Sequence, residues 1–190
     1  MKHAIILFSL LIVATPCSTQ EFQWYGFVGF SMFDEDIETK VGDGAGFRAG
    51  LGLQFSERFG VEALVDRAPE VRPNTLLANL GTPVGSFDIS TVGNTYLSIG
   101  GTFTMPFSDK TFGVVKGGLT NYTAKFERYV IGGVDYCALE QDCEGSGTAA
   151  FFSGGMIYNL NDSSSLEFSV TQYTGDAETL TFNSIIRYRF

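Results

Sequence analysis

Seven charged side chains recur inside segments that otherwise alternate between apolar and polar residues. They share one side of the alternation mainly with glycine and polar residues, while apolar residues occupy the other side. Four of the seven are basic and three are acidic, so ion pairing is the chemistry that this set favours. The seven are Arg48, Glu62, Asp66, Lys116, Glu167, Arg187 and Arg189.

Catalytic chemistry is not indicated by the remaining residues. The single histidine is His3, and it lies in an N-terminal segment that we expect to be removed. A histidine is the commonest general base at neutral pH. The sequence also has no zinc-ligand spacing, phosphate-binding loop or dinucleotide fingerprint. We therefore expect no catalytic residue, no metal and no cofactor.

The N-terminal segment has the pattern of a secretory signal. Lys2 precedes an apolar run over residues 4–14, which is too short to span a membrane as a helix. We predict a signal peptide over residues 1–19 and one domain over residues 20–190. A lipidated N-terminus at Cys17 is the disfavoured alternative, because Thr15 and Pro16 fit a lipoprotein cleavage box poorly. With 12 basic and 21 acidic residues, the chain is not expected to bind nucleic acid.

The elements that must position the charges are eight segments of about ten residues with period-two alternation. In the last of them, Leu180 and Phe182 share a face opposite Thr181 and Asn183. Gly, Asp, Asn, Ser and Pro cluster between the segments, and short connections mostly alternate with long ones. The segments cover residues 22–33, 46–55, 59–67, 94–105, 112–122, 150–160, 165–173 and 180–190.

This pattern predicts an all-β, eight-stranded, antiparallel up-and-down transmembrane β-barrel. Strands of this length cross a bilayer when tilted, and closure pairs every backbone group. A soluble sandwich or lipocalin-like barrel is the alternative, but seven charges would fill its core poorly. Aromatic residues near strand ends are expected to form girdles at the two membrane interfaces. We assign to them Phe22, Trp24, Phe33, Phe47, Phe55, Phe59, Phe103, Tyr158, Tyr188 and Phe190.

The order and spacing of the strands resemble the OmpA/OmpX-type small outer-membrane barrels. The phrases "GLGLQFSERFGVEA", "VVKGGLTNY" and "GGMIYNLNDSSSLEFS" look like the second-to-third, fifth and sixth-to-seventh strand units of that family. The resemblance implies a bacterial outer-membrane location after export by the Sec route. It also implies that the barrel-assembly machinery reads the last strand, through Ile186, Tyr188 and Phe190. Histidine-dependent barrel enzymes of the outer membrane are not matched, because the mature chain lacks that base.

Several loop and strand features have two readings. Cys137 and Cys143 are expected to form a disulfide that shapes a long loop or protects it from proteolysis. The first long loop is acidic, which favours a solvated surface over a cation site. Paired glycines at mid-strand, at 100–101, 117–118 and 154–155, are expected to relieve crowding more than to line a pore.

The leading functional hypothesis is a non-enzymatic, structural or surface-binding protein. Its lumen would be closed by salt bridges, and its loops would contact a host or cell-surface ligand. The alternative is a narrow porin-like channel, in which the same charges would line an ion path or gate. The partners expected are the bilayer, lipopolysaccharide and the assembly machinery, and the protein is expected to be a monomer.

Overall fold

Antiparallel strands make up almost all of the computed structural model, which describes residues 22–34, 44–70, 87–131, 134–135, 144–175 and 178–190. No helix among these residues is long and apolar enough to span a membrane. The strands are β1 (Gln23–Phe33), β2 (Gly44–Gln54), β3 (Phe59–Arg67), β4 (Phe87–Pro106), β5 (Thr111–Ile131), β6 (Val134–Asp135), β7 (Glu144–Asn159), β8 (Ser164–Tyr173) and β9 (Thr179–Arg189).

The sheet closes on itself, as the sequence predicted. Each long strand pairs with its neighbour along the chain, and β1 pairs with β9 to complete the ring. The two-residue strand β6 only extends the edge of β5. The eight long strands therefore form a closed, all-antiparallel, up-and-down barrel.

Two ends of the barrel differ in their connections. The turns β2–β3, β4–β5 and β7–β8 lie at one end, which we call the short-turn end. Their hydrogen bonds come from the turn residues themselves: Ser56 Oγ accepts from the Phe59 N–H at 2.8 Å, and Asn161 Oδ1 accepts from the Ser164 N–H at 2.8 Å. Such local side-chain acceptors fix tight turns. The opposite end, where the longer connections begin, is called the long-loop end.

Apolar side chains cover the outside of the barrel. Along β9, buried and exposed residues alternate strictly, with Leu180, Phe182 and Ile186 outside and Asn183 and Arg187 inside. This inversion of the soluble pattern is what lipid-facing strands require. The predicted facing of the segments therefore holds in the structure.

Strands β4, β5 and β7 are longer than the sequence predicted. They contain 20, 21 and 16 residues, and the added residues lie at the long-loop end. The alternation is broken there by register shifts between Ser90 and Thr91 and between Val92 and Thr95. Bulges of this kind disturb the period-two pattern, which is why the fourth predicted segment begins only at residue 94.

One predicted girdle residue is wrong. Phe33 points into the barrel and is 3% exposed, because it lies an odd number of residues from Trp24 and Met32, which face outward.

Glycines on the neighbouring strand β2 make room for inward aromatic rings of β1. A Cβ on Gly46 would lie 2.5 Å from the Phe33 ring, and one on Gly50 would lie 2.4 Å from the Phe27 ring.

Candidate functional site in the barrel interior

Four charged side chains form a closed ring inside the barrel, towards its short-turn end. Lys116 Nζ lies 2.8 Å from Glu62 Oε2 and 2.7 Å from Glu167 Oε1. Arg187 bridges the same two carboxylates from the other side, at 3.3 Å to Glu62 and 3.1 Å to Glu167. Each carboxylate thus meets both cations, and the ring carries no net charge. We call these four residues the charge ring.

The register of the strands brings the charge ring together. Glu62 lies on β3, Lys116 on β5, Glu167 on β8 and Arg187 on β9, each at an inward position near the short-turn end of its strand. Because the side-chain period is two, a slip of one residue in any of these strands would turn its charge towards the outside. The ring is therefore a product of closure, not of local sequence.

Two aromatic residues of β1 pack against the charge ring. The Tyr25 hydroxyl donates a hydrogen bond to Glu62 Oε1 at 2.7 Å, and the Arg187 guanidinium carbon lies 4.1 Å from the centre of the Tyr25 ring. Lys116 Nζ lies 5.6 Å from the centre of the Phe27 ring. Such cation–π contacts are strongest where water is excluded, and all four ring residues are buried.

A second ion pair lies nearer the long-loop end. Arg48 Nε donates to Asp66 Oδ1 at 2.7 Å, and its Nη2 bonds to the other carboxylate oxygen. The Tyr173 hydroxyl also donates to Asp66 Oδ2. Ser31 Oγ donates to Asp66 Oδ1 at 3.0 Å, and Arg48 Nη1 donates to Thr171 Oγ1 at 3.2 Å. Buried ion pairs need such additional hydrogen bonds to offset their desolvation.

An aromatic layer lies inside the barrel towards its long-loop end. The Tyr96 and Tyr173 rings stack with their centres 4.3 Å apart. The centre of the Phe33 ring lies 6.4 Å from that of Tyr96. The centre of the Phe151 ring lies 6.2 Å from that of Tyr173. Tyr122 completes the cluster. Tyr96 and Tyr173 are fully buried. This layer was not predicted from the sequence, although the alternation places its aromatic residues at inward positions and glycines occur at inward positions of other strands.

Arg189 takes no part in the ion pairs described above for the other six predicted charges. It is half-buried at the short-turn end, where Nη1 donates to the Asp162 carbonyl oxygen and Nη2 to Asn159 Oδ1, both at 3.3 Å. A small cavity of about 50 Å³ lies between Arg189, Arg187 and Tyr25. Arg189 therefore caps the turn that follows β7 and makes none of the ion pairs given above.

The paired glycines have different surroundings on the two faces of the sheet. A Cβ on the inward Gly100 would lie 2.7 Å from the Phe151 ring, whereas one on the outward Gly101 or Gly154 would meet nothing within 4 Å. The inward Gly118 and Gly155 are crowded as well, because a Cβ there would lie 2.1 Å from the Ile99 carbonyl oxygen and 2.2 Å from the Phe168 carbonyl oxygen. The expectation that glycine relieves crowding therefore applies to the inward glycine of each pair. On the outer face, the missing side chains leave shallow depressions in the lipid-facing surface.

Other predicted sites are only partly within the described residues. Ile186, Tyr188 and Phe190 all point outward and are exposed. The signal segment, the cysteines at 137 and 143 and most of the acidic first loop lie outside the described part of the chain. Among the residues that the structure describes, no three His, Cys, Asp or Glu side chains come together as a metal site.

Comparisons with known proteins find similarity in structure alone. No protein-family model matches the sequence, and no curated protein matches it. The structure of Ail, the attachment invasion locus protein of Yersinia pestis, is 16% identical and superposes with a TM-score of 0.55, covering 89% of this chain and 97% of Ail. Neisserial surface protein A is 10% identical with a TM-score of 0.53, covering 89% of this chain and 97% of that one.

A designed protein with no natural ancestry has the same architecture. A de novo transmembrane β-barrel is 10% identical with a TM-score of 0.51, and the match covers 88% of this chain and 95% of the design. The shared feature is thus the way in which alternating strands close in a bilayer. The chain has the fold of the small transmembrane β-barrels, with eight antiparallel strands.

Proposed function

We propose that this chain is a non-enzymatic protein of the bacterial outer membrane, with a closed, salt-bridged lumen and a binding function carried by its loops. The observation that supports this most directly is the filling of the interior. The charge ring lies towards one end, the Arg48–Asp66 pair lies beyond it, and the aromatic layer covers the other end. Eight-stranded barrels are just wide enough for side chains to fill them.

The outer surface supports the membrane location. Large apolar residues such as Phe30, Leu97 and Ile99 are more than 60% exposed, which would be costly in water but is favourable in lipid. Aromatic residues at the short-turn end, including Trp24, Phe59 and Phe190, fit an interfacial girdle. The short turns then face the periplasm and the long loops the cell exterior, as in outer-membrane barrels generally.

The route to the membrane follows from the sequence expectations. Residues 1–19 direct export through the Sec route and are removed. The barrel-assembly machinery recognises the last strand through Ile186, Tyr188 and Phe190, which present an apolar row on the outside of β9. A disulfide between Cys137 and Cys143 constrains the connection between β6 and β7. The folded protein is a monomer in contact with lipopolysaccharide.

The ligand of the loops should differ from one bound by a structural neighbour. A crystal structure of Ail, 17% identical to this chain with a TM-score of 0.53, contains the heparin analogue sucrose octasulfate, which is a polyanion. The first loop of this chain instead carries Asp34, Glu35, Asp36, Glu38 and Asp43 against one lysine. Like charges repel across an interface, so we expect a neutral or cationic surface ligand.

A narrow channel is the second candidate function. The observation in its favour is that buried charges occur at two heights of the same lumen, at the charge ring and at the Arg48–Asp66 pair. Rearranged ion pairs could open a polar path there. The aromatic layer opposes this, because it would have to move as well.

Refolding the mature chain into detergent and then into a planar bilayer separates the two functions. A closed barrel gives a compact species whose gel mobility changes on heating and which shows no conductance. Steady conductance that depends on salt, and that changes strongly in Lys116→Ala or Arg187→Ala, would support the channel. Chain that stays soluble without detergent would refute the membrane location, and turnover of a labelled lipid would revive an enzyme.

A further inference from the structure

Arg67 is a basic residue on the lipid-facing surface at the long-loop end. Arg67, the last residue of β3, is exposed and has the outward parity of Val61 and Ala63. An arginine on this face costs about 2–4 kcal/mol at the bilayer midplane but almost nothing near the interface. Its position at the end of the strand therefore places the guanidinium at the level of lipid headgroups.

Aromatic side chains lie beside Arg67 in the same row of the sheet. Arg67 pairs with Phe47 on β2, and Phe47 pairs with Phe30 on β1. The Phe30 side chain is 65% exposed and the Phe47 side chain 47%. The Ala68 N–H donates to the Asn94 carbonyl oxygen at 2.8 Å, which holds the chain after β3 against β4. The row thus presents an apolar wall that ends in a positive charge.

A cleft of about 330 Å³ lies over this row. Phe30, Phe47, Arg67, Pro69 and Glu70 line it. Its volume falls within the range of small-molecule sites. An apolar wall that ends in a guanidinium matches an amphiphile whose acyl chain lies along the rings and whose phosphate meets the arginine. Charge-assisted contacts of this kind are stronger than neutral hydrogen bonds.

We propose that this cleft binds a phosphate-bearing lipid of the surrounding leaflet, through Arg67 at the phosphate and Phe30 and Phe47 along an acyl chain. The inference rests on the proposed membrane location and names the residues through which the barrel contacts the lipopolysaccharide leaflet. Glu70 also lines the cleft, and its charge opposes a phosphate. The proposal therefore assigns Glu70 a weakening effect in the absence of divalent cations.

The test measures binding of lipid A to the folded, detergent-solubilised barrel by native mass spectrometry in the presence of EDTA. Arg67→Gln should weaken binding about five- to tenfold, as expected for loss of one cation at an anionic lipid. Arg67→Lys should retain most of it, and Phe47→Ala should weaken it. Glu70→Gln should tighten it about twofold or more. Inorganic phosphate at the same concentration should not compete, because it lacks the acyl chain.

The matched control is Arg58→Gln, an exposed arginine in the β2–β3 turn at the opposite end of the barrel. It removes the same charge and should leave binding unchanged. Equal binding by wild type and Arg67→Gln, an equal loss in Arg58→Gln, or a loss in Glu70→Gln would overturn the proposal. Gel mobility before and after heating shows separately whether each variant is a folded barrel, so failure of the lipid site is distinguishable from failure of the membrane assignment.

Discussion

Replacing Lys116 alone should destabilise the barrel more than replacing Lys116 and Glu62 together. In Lys116→Met, the two carboxylates of the charge ring lose contacts of 2.8 and 2.7 Å and must share Arg187. The interior then carries one uncompensated negative charge. Removing one partner of a buried ion pair costs about 3–5 kcal/mol, whereas replacing both partners is often close to neutral.

The double variant Glu62→Gln/Lys116→Met keeps the interior neutral. Arg187 retains Glu167 at 3.1 Å, and the amide oxygen of the new glutamine can still accept the hydrogen bond from the Tyr25 hydroxyl. We expect a loss below about 2 kcal/mol for this variant. The difference between single and double variants should therefore be at least about 1 kcal/mol, roughly a fivefold change in the folding equilibrium constant.

Denaturant unfolding from lipid vesicles measures this difference. Trp24 is the only tryptophan and lies half-exposed on the outside of β1, so its emission should shift when the barrel leaves the bilayer. Methionine and glutamine at these positions change the ring without altering any outward residue. A double variant as unstable as Lys116→Met, or a single variant as stable as wild type, would refute the electrostatic account of the ring.

Three further outcomes follow from the packing of the interior and from the last strand. Gly52→Ala should lower the free energy of unfolding by about 1–3 kcal/mol, because the new Cβ would lie 2.1 Å from the Tyr25 ring. The control is Gly154→Ala, whose Cβ faces open space. It should leave the free energy of unfolding nearly unchanged in the same denaturant titration. Tyr173→Phe should cost about 1.5–3 kcal/mol by the same measure, because Asp66 loses a buried donor; a loss below about 0.5 kcal/mol would show that the hydroxyl is not needed. Deleting Phe190 should reduce the amount of heat-modifiable barrel in cell membranes while leaving refolding in detergent intact; equal amounts in both chains would contradict a role in assembly.

Strand positions and their facing were readable from the sequence because each follows from a period of two. The alternation in "LTFNSIIRYRF" assigns β9 its lipid-facing and inward residues with no tertiary information. Parity likewise placed Arg48, Lys116 and Glu167 on the inward side, where the structure has them buried. The same rule, applied to Phe33, would have placed it inside. Phe33 was assigned to a girdle because it lies at the end of β1, but its place in the alternation, not its place along the strand, decides which way its side chain points.

Partners of the inward charges could not be read in this way. Glu62 and Lys116 are 54 residues apart, and nothing local relates them. Their contact depends on how far each strand is displaced along its neighbours around the ring, which is set by pairing of the whole sheet. Arg189 shares the strand and parity of Arg187, but it lies at the end of β9, where it bonds to Asp162 and Asn159 instead.

The sequence by itself determined that eight alternating strands form a barrel with an apolar outside, because side-chain parity is a local property of an extended chain. Only the tertiary structure decided which inward residues meet. It joined Glu62, Lys116, Glu167 and Arg187 into one neutral ring and stacked Tyr96 on Tyr173 at the other end. The physical reason is that height along the barrel axis depends on closure and strand stagger, and neither is encoded in any single segment.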